Sequence, residues 1–181
     1  MPVLREPYGA DTYFTDEMRY GTRTHCRRRW SRQGVRPTCR VRLGYEWGYL
    51  CVAICPFTGD MFSMLLTHLD RDCFSEFVRQ LQEHLKEKGI ARALLIGDGA
   101  TAHTSQHWRE HEQIEWVRLP TACPELNPVE RFFEELRKNM SNRVWENKQQ
   151  VEQLLQRLVE EYRQKPQQVS QLTLYPYIKG D

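Results

Sequence analysis

Three acidic residues lie at positions that are common for catalytic or metal-binding side chains. Asp16 lies on the first predicted strand, Asp98 directly follows a short apolar run, and Glu130 falls in the first turn of a predicted helix. Sites in open α/β sheets gather at the carboxyl ends of strands, so these acids are candidates for one site. Clustered carboxylates repel one another unless a cation lies between them. Oxygen ligands favour Mg²⁺ or Mn²⁺ over zinc, and two such ions about 4 Å apart suit phosphodiester displacement.

Glu130 also has a purely structural interpretation. Asn127 is a good N-cap, Pro128 suits the first helical position, and the spacing Asn-x-x-Glu is that of a capping box. In that case Glu130 would only hold the start of the helix. Glu134, one turn later, is the next candidate acid, but it lies farther from the buried stripe of the helix. The stripe consists of Leu126, Val129, Phe132, Phe133, Leu136 and Met140.

A block of positive charge follows the first predicted strand. Nine arginines occur between positions 19 and 42, and no Asp, Glu or Lys lies among them. Guanidinium groups bind phosphate as two-pronged donors, so such a one-sided block suits a polyanion. The alternative is a solvated loop of ordinary charge. We expect DNA phosphate contacts from seven of these residues: Arg19, Arg23, Arg27, Arg28, Arg29, Arg32 and Arg36.

The composition is that of an ordinary globular protein. The chain has 181 residues, of which 40% are hydrophobic and 28% charged, and we expect a single domain over residues 1–181. No apolar run approaches about 18 residues and the first residues lack an apolar signal region, so no membrane partner and a cytoplasmic location are expected. Six cysteines without C-x-x-C spacing predict free thiols.

Hydrophobic periodicity predicts the elements that must position the candidate residues. Helices are expected after Asp70 or Asp72, near residues 101–105, after Asn127 and after Asn147, the last of them stopping at Pro166. Strands mixed with crossover helices predict an α/β fold in which a mixed sheet is flanked by helices on both faces. The predicted strands are residues 11–18, 47–56, 61–67, 91–97 and 114–119.

Four segments resemble, in order and spacing, motifs of the catalytic domain of mariner-superfamily DDE transposases, in the bacterial insertion-sequence branch. The most specific is the last, which combines Leu119-Pro120 with Asn127-Pro128-Val129-Glu130. The likeness extends over nearly the whole chain. The four segments are Thr15–Gly21, Arg29–Gly34, Asp98–His103 and Leu119–Glu130.

The resemblance implies a ribonuclease-H-like fold and a divalent-metal-dependent enzyme that cleaves and transfers DNA strands during transposition of an insertion sequence. It assigns the metal-binding acids to Asp16, Asp98 and Glu130, with Mg²⁺ or Mn²⁺ as cofactor and two ions expected. It also implies element ends and target DNA as partners, a TA dinucleotide as target, a homodimer, and a nucleoid-associated protein.

His103 matches a family position five residues after the second acid, so the resemblance places it in the catalytic site. It would orient phosphate or assist proton transfer. His103, His107 and His111 also fall four residues apart on one helical face, which is the spacing of a metal-binding ladder. Surface histidines are the alternative for the last two, because no acidic or cysteine partner lies at ligand spacing.

The chain departs from the family pattern in one residue and one spacing, and we expect one module of the family to be missing. Gly99 stands where the family usually has Asn after its second acid, and the 31 residues between Asp98 and Glu130 are slightly fewer than usual. The family also carries an N-terminal helix-turn-helix domain that binds element ends. Only about ten residues precede the first strand here, so we expect that domain to be absent or supplied by a separate reading frame.

Two functions of different classes therefore compete. The first is an active transposase catalytic domain, which the acid triad favours. The second is a catalytically weak or inactive, truncated DNA-binding fragment that pairs with or inhibits a full-length transposase. A general ribonuclease H or resolvase would share the fold, but it does not explain the proline-rich helix entry at residues 127–130.

Overall fold

A five-stranded mixed sheet forms the centre of the molecule. The computed structural model describes residues 9–99 and 113–179. The strands are β1 (Thr12–Gly21), β2 (Trp47–Ile54), β3 (Met61–Leu66), β4 (Ala93–Gly97) and β5 (Ile114–Arg118). The strand order is β3-β2-β1-β4-β5, with β1, β2 and β3 antiparallel and with β4 and β5 added in parallel beside β1. This confirms the predicted mixed sheet.

The apolar run of β4 is explained by burial on both faces of the sheet. Successive side chains of a strand point to opposite faces, and both Leu95 and Ile96 are 1% exposed. Leu95 belongs to the hydrophobic cluster on one face and Ile96 to the cluster on the other. A strand covered on both sides has no need of alternating polar residues, which is why its sequence is nearly continuous in apolar residues.

Helices cover both faces of the sheet, as predicted. The caps of two of them are confirmed: Asp70 accepts a hydrogen bond from the Cys73 N–H at 2.8 Å, and Asn147 accepts one from the Gln150 N–H at 3.0 Å. None of the helices in residues 9–99 and 113–179 combines the length and apolar character needed to cross a bilayer. The helices are α1 (Arg71–Glu87), α2 (Val129–Met140), α3 (Lys148–Arg163), α4 (Pro166–Thr173) and α5 (Pro176–Lys179).

Pro166 opens a helix that the sequence pattern did not reveal. We expected the helix after Asn147 to be the last, with Pro166 as its stop. Helix α3 does end before this proline, but Pro166 then occupies the first turn of α4. A proline at that position loses no intrahelical hydrogen bond, so the same residue ends one helix and begins the next.

Two hydrophobic clusters hold the layers together. The first lies between the sheet and helices α2, α3 and α4, and it includes Phe14, Met18, Ile96, Phe132, Phe133, Leu136, Val151, Leu155 and Val169. The second lies between the other face of the sheet and α1, and it includes Tyr13, Cys51, Ala53, Phe74, Phe77, Leu81 and Leu95. All six cysteines are free thiols, as predicted, and two of them are core residues.

Candidate catalytic site and nucleic-acid interface

The sheet register brings Asp16 and Asp98 to one place. Strands β1 and β4 run parallel with Phe14 opposite Ile96, and each acid lies two residues beyond its member of this pair. Asp16 therefore lies within β1 beside the end of β4, and Asp98 lies just past that end. Both acids line one cavity of about 200 Å³. Asp16 shares the strand face of Phe14, which is the face covered by α2.

Glu130 lies in the first turn of α2 and forms an ion pair with Arg137. The Arg137 guanidinium donates to Glu130 Oε2 at 3.1 Å, and the glutamate side chain remains 37% exposed. The alternative capping role is wrong, because the Asn127 N–H donates instead to the Pro124 carbonyl at 3.0 Å. The next candidate acid, Glu134, pairs with Arg131 at 3.3 Å and is 46% exposed.

Asn127 ties the start of α2 to the strand that carries Asp16. Its side-chain Nδ2 donates to the Thr15 carbonyl at 3.0 Å, and its Oδ1 accepts from the Val129 N–H at 3.2 Å. The residue is only 3% exposed. The sequence predicted the capping half of this arrangement but not the bond to β1. An asparagine offers a donor as well as an acceptor, which Ser, Thr and ionised Asp caps do not offer in the same geometry.

Burial and neighbouring carboxylates raise the pKa of Asp16. Burial raises the pKa of Asp16 to about 7, and the charges of Glu17, Glu130 and Asp98 add to this effect. The Glu17 N–H, which donates to Asp16 Oδ1 at 2.9 Å, partly opposes the rise in pKa. The three predicted acids are thus close enough for their charges to interact. Such an arrangement of carboxylate oxygens fits a hard divalent cation, which would relieve their repulsion.

The candidate acids do not form a complete set of metal ligands in the described part of the structure. Within the described part of the chain, no three His, Cys, Asp or Glu side chains are grouped at a spacing that could hold a metal ion. Glu130 is engaged with Arg137. Full coordination by the three acids would therefore require Glu130 to leave that ion pair or to share it.

The raised pKa of Asp16 predicts a pH-dependent gain in stability for Asp16→Asn in the absence of metal. The folded state holds the Asp16 proton up to about pH 7, whereas an unfolded chain releases it near the ordinary value of 3.8. Ionisation of the wild-type carboxyl therefore lowers the stability of the folded state progressively as pH rises from about 4 to 7. The full loss of stability persists above pH 7. Thermal melts should show the variant more stable by up to about 4 kcal/mol at pH 8 and unchanged near pH 4.

The exposed acid Asp11, which precedes β1, offers a matched control for this measurement. Asp11→Asn removes the same charge outside the cavity and should show no comparable gain at pH 8. Equal melting curves for wild type and Asp16→Asn at pH 8 would contradict the raised pKa.

The arginine-rich segment forms an irregular, exposed arm between β1 and β2. This arginine arm, residues 22–46, contains no helix or strand. Its base is closed by bonds from the Thr22 N–H to the Glu46 carbonyl and from the Thr24 N–H to the Arg42 carbonyl, at 3.0 and 3.1 Å. The seven predicted DNA-binding arginines, all exposed, are Arg19, Arg23, Arg27, Arg28, Arg29, Arg32 and Arg36.

The base of the arm is anchored to the loop that follows α2. The Arg42 guanidinium donates to the carbonyls of Trp145 and Glu146 at 2.7 and 2.6 Å. Asn142 Oδ1 accepts from the Arg27 N–H at 3.0 Å. Arg42 is therefore committed to holding the arm, whereas Arg19 stacks over Trp47 at 4.6 Å from the ring centroid and remains exposed.

His103 lies outside the described residues. The same holds for His107, for His111 and for the helix that we expected to start near residues 101–105. Their predicted roles stay predictions.

Comparison with known proteins identifies the family. A family model described as DDE superfamily endonuclease matches residues 11–152. The uncharacterized protein y4pE/y4sA of Sinorhizobium fredii (strain NBRC 101917 / NGR234) is 34% identical over 107 residues, which are 56% of this chain and 74% of that protein. A bacterial relative agrees with the bacterial branch predicted from the sequence motifs.

Solved structures of Mos1 transposase share the fold. The paired-end complex with the left transposon end matches with a TM-score of 0.66 and 16% identity, covering 89% of this chain and 52% of that chain. The catalytic domain of Mos1 mariner transposase matches with a TM-score of 0.61 and 14% identity, covering 90% of this chain and 78% of that one. This chain therefore spans about half the length of the Mos1 chain in the complex.

These matches confirm two predictions made from the sequence. The sheet and its flanking helices have the ribonuclease-H-like fold of the Mos1 catalytic domain. The family match covers the strands that carry Asp16 and precede Asp98, and the helix that carries Glu130. The chain belongs to the DDE superfamily of endonucleases.

Proposed function

We propose that this chain is the catalytic domain of an insertion-sequence transposase that cleaves DNA strands and transfers them to a target. The observation that carries the proposal is the shared cavity of Asp16 and Asp98, on the sheet face covered by the helix of Glu130. Membership of the DDE endonuclease family supports the same reaction class. We also propose that it acts on nucleoid DNA.

Asp16, Asp98 and Glu130 would hold the metal ions. Bound Mg²⁺ or Mn²⁺, as two ions, would supply Lewis-acid activation of the attacking oxygen and stabilisation of the leaving 3′ oxygen. The Mos1 paired-end complexes determined with Mn and with Mg support divalent metal use by proteins of this fold. The raised pKa of Asp16 supports a cation requirement, because added positive charge would favour the ionised form of that buried acid.

The chain's own residues position the reacting groups. Asn127 fixes the first turn of α2 against β1, so Glu130 is presented on the side of the sheet that Asp16 faces. Arg137 pairs with Glu130, and a bound cation would compete for the same carboxylate. Water attacks the phosphodiester at an element end and releases a 3′ hydroxyl, which then attacks a phosphodiester of the target and displaces a second 3′ oxygen. No covalent protein–DNA intermediate is needed.

We further propose that the arginine arm holds the DNA backbone, so that affinity falls with added salt. Arg27, Arg28 and Arg29 are exposed neighbours on this arm. Neutralising all three to Gln should flatten the plot of log affinity against log salt by up to about three units, since each phosphate contact releases roughly one counterion. Fluorescence anisotropy with duplex DNA at several salt concentrations measures that slope.

A matched triple variant separates the arm from total charge. Arg79, Arg92 and Arg157 are exposed and engaged in surface ion pairs away from the arm. Their replacement by Gln removes the same charge and should change the slope far less. Equal slopes for both triple variants would make the arm a solvated loop.

Cleavage at element ends tests the proposed function. The chain should be compared alone and fused to a matching helix-turn-helix polypeptide, on labelled DNA that carries the terminal inverted repeat, with Mg²⁺ or Mn²⁺. We expect weak, nonspecific nicking by the chain alone, and cuts at the ends by the fusion. A fused protein that binds the ends but cuts nowhere would instead favour the catalytically weak DNA-binding fragment. Size-exclusion chromatography of both proteins tests the proposed homodimer.

A further inference from the structure

Arg118 lies over Gly99 in the cavity that holds the two aspartates. It is the last residue of β5 and lies opposite Gly97, the last residue of β4. A Cβ atom built on Gly99 would overlap the Arg118 guanidinium at Nε, Cζ and Nη2. The guanidinium therefore occupies the space that any side chain at position 99 would need.

The surroundings of Arg118 are unusual for an arginine beside acids. The cavity of about 200 Å³ is lined by Arg118, Gly99, Asp16 and Asp98, and by the loop at residues 119–124. The salt bridges found among the described residues pair many surface arginines with carboxylates, but none involves Arg118. Within residues 9–99 and 113–179, no hydrogen bond from the exposed Arg118 guanidinium is found, so among these residues its donors are available to an anion that enters the cavity.

We infer that Arg118 is a phosphate-binding residue of the catalytic cavity, placed there because Gly99 has no side chain, and that its ligand is the DNA backbone phosphate held beside Asp16 and Asp98. The inference rests on the proposed function. A guanidinium binds phosphate through two parallel hydrogen bonds, so it fixes orientation as well as adding attraction. Glycine is then required at position 99, because any side chain there would displace the Arg118 guanidinium.

The two residues can be tested without relying on cleavage. Arg118→Ala removes the charge, whereas Gly99→Ala keeps every charge and displaces the guanidinium with a single methyl group. The φ of Gly99 lies outside the left-handed range that favours glycine, so alanine adds no strain of that kind there. Each variant should lower the salt slope of duplex binding by about one unit and weaken binding roughly 10-fold or more at low salt, as expected for one lost charged hydrogen-bonding contact. Circular dichroism and thermal melts verify folding.

Two further variants sharpen the result. Arg92→Ala removes one charge at the opposite end of the β4–β5 pair, where Arg92 is 72% exposed and paired with Glu115, and should leave the slope unchanged. The double variant Gly99→Ala/Arg118→Ala should bind no more weakly than Arg118→Ala alone, because both changes remove the same contact. Additive losses, a normal slope for Gly99→Ala, or equal slopes for Arg118→Ala and Arg92→Ala would overturn the inference.

Failure of this inference and failure of the proposed function give different results. If the fused protein cuts element ends while Arg118→Ala binds with the wild-type slope, only the role of Arg118 is lost. If the fused protein cuts nowhere while Arg118→Ala and Gly99→Ala both lose one unit of slope, the cavity binds phosphate without the proposed chemistry.

Discussion

Replacing Asp16 or Asp98 by Asn is expected to abolish metal-dependent DNA cleavage while leaving the fold intact. Each change keeps the side-chain shape and removes one carboxylate from the shared cavity. We expect cleavage by the fused protein to fall by at least about a thousandfold, more than the 10- to 100-fold typical of residues that only support metal ligands. Gel assays of labelled end DNA, with and without Mg²⁺, measure this loss.

Metal binding provides a second readout that does not depend on cleavage. Mg²⁺ or Mn²⁺ that binds the folded state should raise the melting temperature of the wild-type protein, and each Asn variant should lose that rise. A full thermal response to Mn²⁺ in both variants would place the metal elsewhere.

Glu130 needs its own comparison, because it begins in an ion pair with Arg137. Glu130→Gln should abolish cleavage like the aspartate variants, whereas Glu134→Gln, one turn later on α2, should retain it. The reverse outcome would remove Glu130 from the site and assign the third acid to Glu134. Both glutamates are partly exposed and paired with arginines, so the two variants disturb the helix to a similar extent.

Asn127→Ala is expected to combine a large loss of stability with a large loss of cleavage. The substitution removes the cap of α2 and leaves the Thr15 carbonyl without its donor, in a site that is 3% exposed. A lost cap and an unsatisfied buried carbonyl together cost about 2–4 kcal/mol. Urea unfolding measures that loss. Cleavage should fall even where the variant is fully folded, since α2 would no longer be tied to β1 beside Asp16.

Asn147→Ala is the matched control, because Asn147 caps α3 with an exposed side chain that makes no bond to the sheet within the described part of the chain. It should cost about 1 kcal/mol and leave cleavage unchanged. Asn127→Asp keeps the cap acceptor but sets a buried carboxylate oxygen against the Thr15 carbonyl, so it should cost at least as much stability as Asn127→Ala. An Asn127→Ala variant no less stable than Asn147→Ala would show that the bond to β1 contributes little.

Local patterns in the sequence were sufficient to predict the five strands and helices α1, α2 and α3, but not α4 and α5. The alternating or continuous apolar residues of β1 to β5 and the stripes of α1, α2 and α3 are all observed, with ends shifted by a few residues. Each of these features depends on the order of apolar and polar residues within one short segment. The sequence of that segment is therefore enough to predict the element. The caps at Asp70 and Asn147 could be predicted for the same reason.

The order of elements also indicated where a site would form. Asp98 ends an apolar strand run and Glu130 begins a helix, and the family motifs pointed to the same residues together with Asp16. The sequence thus predicted the three acids as site residues. The parallel register of β1 and β4 brings two of them, Asp16 and Asp98, into one cavity.

Only the tertiary structure decided how these residues are held. The bond from Asn127 to Thr15 joins residues 112 positions apart, and Glu130 is drawn to Arg137 rather than to its own helix start. The space above Gly99 is filled from a different strand, by Arg118. Such contacts depend on how distant segments pack against one another, and a side chain's choice among several partners is settled only when all of those partners are in place.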